Sequence, residues 1–121
     1  MPKVQTKTIA KNIAKFAFDL KAVDIKVLDL KGLCSFTDYF VVCSGTSDRH
    51  IISIADNIVE KQKEKGIKPL GVEGQNKGGW ILVDYGSVVA HVFYSESRTF
   101  YNIERLWGDA KEVPIKGITD Q

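Results

Sequence analysis

Two cysteines, Cys34 and Cys43, are all that the 121 residues offer, and with no third cysteine and no clustered histidine they complete no zinc-ligand spacing. They read as reduced thiols, Cys43 as a small core residue of a strand. Long apolar runs are missing as well: charges interrupt every stretch before the roughly 18 residues that a membrane helix needs. Met1 to Lys15 carries lysines where a secretory signal has its apolar core, so neither export nor a membrane partner is expected. Charge of one sign is also scarce. With 17 basic against 15 acidic residues the formal charge is +2, too mild to indicate nucleic acid by itself, so a partner would be read mainly by shape.

What the chain does have is 44% hydrophobic and 26% charged residues, the content of one compact domain with a single core. From Thr8 to Leu20, Ile9, Ile13, Phe16, Ala17 and Leu20 recur at helical intervals, with Thr6 or Thr8 as candidate caps. The opposite side carries Lys7, Lys11 and Lys15, a row that is either a solvated face or a candidate contact to ribonucleic acid phosphates. Val23, Ile25 and Val27 alternate with Asp24 and Lys26 as a strand does, and Leu28 to Leu30 can extend it. The run Tyr39-Phe40-Val41-Val42-Cys43 has no polar alternation, as expected of a strand buried on both faces at the centre of a sheet.

Ser44-Gly45-Thr46-Ser47 turns the chain into a helix whose stripe is Ile51, Ile54, Ala55, Ile58 and Val59, capped by Ser47 or Thr46 and stopped at Gly66. Leu70 to Gly74 reads as a short strand, Asn76 to Gly79 as a loop, and Trp80 to Tyr85 as a further strand. A last helix is expected from near Ser97, burying Phe100, Ile103 and Trp107 and ending at Gly108. Beyond it periodicity fades, so the reading is a domain over 1–108 and a flexible tail over 109–121. The fold class is α/β, a mixed sheet of about five strands with helices packed on it.

Gly86-Ser87 is a two-residue turn with glycine first, which makes Val88 to Tyr94 return antiparallel and sets the register. Tyr85 then faces Val88, Asp84 faces Val89, Val83 faces Ala90, Leu82 faces His91, Ile81 faces Val92, and Trp80 faces Phe93. One side of this hairpin is almost uniformly apolar and lies under helices. The other holds Trp80, Leu82, Asp84, Val89, His91 and Phe93, where a solvated sheet would show Lys, Thr and Glu. Either the last helix folds over this side or a partner covers it. Asp84 and His91 speak against full coverage, since burying them unpaired costs roughly a few kcal/mol.

Catalytic constellations are incomplete. A small-residue turn at a helix N-terminus, here Gly45-Thr46-Ser47, can cradle a triphosphate in nucleotidyltransferases, but that chemistry also needs paired carboxylates for magnesium. Glu73 and Asp84 each stand alone, and Asp48 at the helix start would repel phosphate. Ser44, His91 and Asp84 form no hydrolase triad signature, because Ser44 lies in no nucleophile elbow. Walker loop and dinucleotide fingerprint are absent. The residues therefore point to a non-enzymatic binding protein without cofactor or metal.

Thr37-Asp38-Tyr39-Phe40-Val41-Val42-Cys43-Ser44-Gly45-Thr46-Ser47-Asp48-Arg49-His50 resembles the central motif of the Iojap family of ribosome-silencing factors. A second block follows in that family's order: Gly71-Val72-Glu73-Gly74, Trp80 to Gly86, Val88 to Phe93, and Arg98 to Trp107. The resemblance implies a nucleotidyltransferase-like fold lacking the catalytic carboxylates. It implies a cytoplasmic protein that binds the large ribosomal subunit on its intersubunit face, at ribosomal protein L-fourteen, and blocks subunit joining when nutrients are scarce. It also implies a tendency to form homodimers. Carried over to this chain, the binding surface falls on Trp80, Leu82, Asp84, Tyr85 and Gly86, with His91 across the hairpin and Ser87 where the family usually has an acidic residue. Two rivals remain: a nucleotide-binding protein using Gly45 to Arg49, and a dimeric adaptor whose apolar face pairs with itself.

Overall fold

Every residue from Tyr39 to Gly45 is buried in strand β2, the outcome that an uninterrupted apolar run requires. A computed structural model describes residues 5–74, 79–95, 108 and 110–119. In it β2 pairs in parallel with β5 (Val88–Tyr94) and antiparallel with β1 (Val23–Asp29). β5 pairs antiparallel with β4 (Trp80–Asp84), and β4 with β3 (Gly71–Glu73). The sheet is mixed and six-stranded, with β3 at one edge and β6 (Lys111–Glu112) beside β1 at the other.

Both described helices, α1 (Thr6–Asp19) and α2 (Asp48–Glu64), pack on one face of the sheet. Ala10, Ile13 and Ala17 of α1 and Ile51, Ile54 and Ile58 of α2 meet Val27, Val41, Cys43, Ile81, Val83, Ala90 and Val92. Alternation along the strands sends the other residues to the second face, where Leu28, Leu30, Phe40, Val42, Val89 and Phe93 form a smaller apolar cluster. A Phe that is 0% exposed, as Phe93 is, contributes about 1.5–3 kcal/mol of burial. Among the described residues no helix is long and apolar enough to cross a membrane.

Three expectations change. α1 starts at Thr6 with Gln5 as its N-cap and no side-chain cap bond, so Thr6 and Thr8 lie inside the helix and cap nothing. Val23 is 40% exposed, because the pairing of β1 and β2 shifts between Val23 and Lys26, where Asp24 takes φ +51° and breaks the alternation. The segment expected to be a loose tail instead lies on the domain. β6 pairs with β1, Val113 donates its N–H to the Val27 carbonyl at 2.7 Å, and Val113, Ile115 and Ile118 pack on the helix-side core. Two residues of edge pairing are too short to produce a periodic pattern, which is why the sequence did not reveal them. The helix expected near Ser97 to Trp107 lies outside the described residues.

Candidate functional site

The β4–β5 hairpin has the register that a two-residue turn imposes: Trp80 opposite Phe93, Ile81 opposite Val92, Leu82 opposite His91, Val83 opposite Ala90 and Asp84 opposite Val89. Tyr85 N–H closes the turn on the Val88 carbonyl at 2.8 Å, and Gly86 takes φ +81°, a backbone region that glycine enters without strain. The Asp84 carboxylate accepts from Gly86 N–H at 2.7 Å. On the far side of the turn, the Ser87 carbonyl accepts from the N–H groups of Asp38 and Tyr39 at 2.9 and 3.1 Å, locking the hairpin to the start of β2.

The second face is more sealed than its composition suggested. Phe93 is 0%, Val89 7% and His91 3% exposed, while Trp80, Leu82 and Asp84 along β4 are half-buried. What stays open is therefore a strip along β4, not the whole hairpin. His91, which spoke against full coverage of this side, is buried despite the cost, with Phe40 and Val42 of β2 among its long-range neighbours.

Inside this face the aromatic rings are ordered around Trp80. Its indole stacks on Phe93 with centroids 5.2 Å apart, and its Nε1–H donates to His91 Nδ1 at 3.2 Å. Phe40 meets the imidazole edge-on at 4.5 Å. Burial pushes the His91 pKa down from 6.5 to about 4, because an imidazolium in this apolar setting would lose its hydration. The ring is neutral at physiological pH. Its Nδ1 accepts the indole proton, which places the ring's own proton on Nε2, and Nε2 has no hydrogen-bond partner among the described residues.

The remaining expected site residues divide between three places. Gly86 and Ser87 form the turn at the far end of β4 from Trp80. Tyr85 packs on the helix-side core, the opposite face, and desolvation pushes its phenol up to about 12. Lys7, Lys11 and Lys15 are exposed on α1, which also lies on the opposite face, so the lysine row and the Trp80 strip are separate surfaces.

Two residues that sequence reasoning left out of the site belong to it. Glu73 pairs directly with Leu82 and is exposed, so with Asp84 it makes the apolar strip acidic at its margin. Gly74 takes φ +89°, and a Cβ there would run into the Trp80 carbonyl. It is the glycine that lets the chain pass close to the start of β4. The signal was the Gly71-Val72-Glu73-Gly74 block, whose last two residues have these roles only once β3 pairs with β4.

The turn that invited a nucleotide reading is occupied by the protein itself. Thr46 N–H donates to His50 Nδ1 at 2.9 Å, and His50 N–H donates to Ser47 Oγ at 3.0 Å. The His50 Nε2–H donates to the Leu20 carbonyl at 2.7 Å. Two amides that a phosphate cradle would use are thus engaged, and the imidazole ties the end of α1 to the start of α2.

Comparison with known proteins settles the family. The family model described as "Ribosomal silencing factor during starvation" matches residues 3–121. The chain belongs to the ribosomal silencing factor family. It is 43% identical over 104 residues to the ribosomal silencing factor RsfS of Bacillus subtilis, covering 86% of this chain and 88% of that protein. It is 33% identical to the chloroplastic Iojap protein of Zea mays over 89% of this chain and 47% of that one. A crystal structure of a Chromobacterium violaceum protein superposes with a TM-score of 0.85 at 36% identity, covering 95% of this chain and 96% of that one. The α/β architecture, with a mixed sheet carrying both described helices on one face, is thus shared with solved relatives of this silencing-factor chain.

Proposed function

We propose that this chain binds the large ribosomal subunit on its intersubunit face, with ribosomal protein L-fourteen as the direct partner, and represses translation in the cytoplasm by keeping the small subunit from joining. The mechanism is steric: the β4 strip docks, and the bulk of the domain occupies space that the small subunit needs. No nucleotide, metal or chemical step is required. The observation that carries this reading is the partly buried Trp80, stacked on buried Phe93, with Leu82 and Asp84 following it on the same side of β4. A partly buried indole at the margin of an otherwise buried apolar face has the character of an interface anchor. Family membership supplies the ribosome as the partner class. Any contact of Lys7, Lys11 and Lys15 to ribosomal RNA would be made from the other side of the sheet, as a second and independent surface.

Light scattering of purified subunits tests the mechanism. Wild-type protein added before mixing should suppress subunit association in proportion to its occupancy of the large subunit. Association at the normal extent with the large subunit saturated would rule the steric mechanism out.

A further inference from the structure

His91 is a polar residue where the chain has most to gain from an apolar one. Its ring lies between Phe40 and Phe93, with Val42 and Leu82 beside it on the neighbouring strands. Only 3% of the residue is exposed, so it presents no useful surface to another molecule. Its Nε2–H is buried without a partner among the described residues, and such an orphaned donor costs more than a typical net hydrogen bond returns. Leucine or phenylalanine at this position would avoid that cost. The imidazole's contribution must then come through its other nitrogen, and that nitrogen holds Trp80.

Stacking and hydrogen bonding constrain an indole differently. The contact with Phe93, 5.2 Å between centroids at 21°, constrains chiefly the plane of the Trp80 ring. A hydrogen bond from Nε1 to a nitrogen itself locked in the core adds a directional restraint within that plane. A partly buried aromatic held in advance loses less entropy on docking.

We propose that His91 is the positioning residue of the docking strip: it touches no partner, and its Nδ1 holds the Trp80 indole in the in-plane orientation that turns its outer edge toward the partner. The inference rests on the reading of Trp80 as the anchor. It separates two properties that a merely structural histidine would couple, fold stability and affinity.

The test compares His91→Leu with His91→Asn in the full chain, side chains with the same number of heavy atoms and the same branching, of which only Asn offers an acceptor near the Nδ1 position. Binding to purified large subunits is measured by co-sedimentation, with Trp80→Ala alongside. His91→Leu should be at least as stable as wild type and yet bind roughly five- to tenfold more weakly, the scale of one lost hydrogen bond. His91→Asn should bind within about threefold of wild type. In the free protein, the Trp80 indole N–H resonance should shift and exchange faster in the Leu variant and stay near its wild-type position in the Asn variant. His91→Phe provides the same comparison should the leucine variant fail to fold. Equal affinities for the Leu and Asn variants, with Trp80→Ala weakened, overturn the positioning role and leave the docking strip standing. Wild-type affinity in Trp80→Ala overturns the docking strip and the positioning role with it.

Discussion

Gly74 and Trp80 approach so closely that a Cβ on Gly74 would run into the Trp80 carbonyl, and Gly74 also takes φ +89°. Steric space and backbone conformation both demand glycine there. Gly74→Ala is expected to destabilise the domain by about 1–3 kcal/mol, read as a lowered midpoint in urea. Because the strain falls on the start of β4, large-subunit binding should weaken at temperatures where the variant is still folded. Unchanged stability would show that the chain passes this point by another route.

His91 contributes to the pH dependence of stability. Its folded value of about 4 lies below the ordinary 6.5, so between these values the unfolded chain binds a proton that the native chain refuses. Stability should rise as pH increases from about 4 to 6.5, by about 3 kcal/mol in total, and level off above. Chemical denaturation across this range checks it, and His91→Leu should flatten that portion of the curve. A wild-type curve that is level from pH 4 to 6.5 would mean the imidazole is not sealed.

Much of this arrangement was legible beforehand, for identifiable reasons. Tyr39 to Cys43 announced a central strand because apolar side chains at successive positions can only be satisfied by cover on both faces. Gly86-Ser87 announced the register of β4 and β5, which the pairing of Trp80 with Phe93 and Leu82 with His91 reproduces. The hidden part depends on contacts between distant segments. Parallel pairing sets Val42 beside His91, and nothing local to the hairpin encodes that neighbour. Glu73 joins the strip only through the register of a three-residue strand. Lys111 and Glu112 pair with β1 with exposed side chains, Glu112 reaching Lys26 at 3.8 Å, so no apolar signal marks them.

His50 joins two helices through one ring: Nε2 to the Leu20 carbonyl at the end of α1, Nδ1 to Thr46 N–H before α2. His50→Ala should lose both bonds and leave the Leu20 carbonyl and the Thr46 amide to find water, at a cost of about 1–3 kcal/mol. Thermal unfolding should show the loss while binding of nucleoside triphosphate remains absent in both proteins. A variant as stable as wild type would show these bonds to be incidental.

Val113 anchors the terminal segment at 8% exposure beside the bond from its N–H to Val27. Val113→Asp should destabilise the domain by about 2–4 kcal/mol through a buried charge without a partner. Protease should then cut near β6 in the variant and not in wild type. Equal resistance in the two proteins would mean the segment contributes little.

The lysine row and the β4 strip lie on opposite faces of the sheet, so their contributions to binding should add. Replacing Lys7, Lys11 and Lys15 by Gln should reduce the salt dependence of large-subunit binding by about 2 to 3 in log–log slope. Combined with Trp80→Ala, the losses should sum to within about 0.5 kcal/mol. An unchanged slope identifies the row as a solvated face.

An indole that grips the ribosome from the margin of the hairpin face must carry a large share of the binding energy. The dissociation constant of Trp80→Ala for purified large subunits, measured on protein shown by circular dichroism to be folded, addresses that point. It should rise by about 30- to 1,000-fold over wild type, equivalent to about 2–4 kcal/mol. A folded variant that binds as tightly as the parent would contradict the assignment of the docking site.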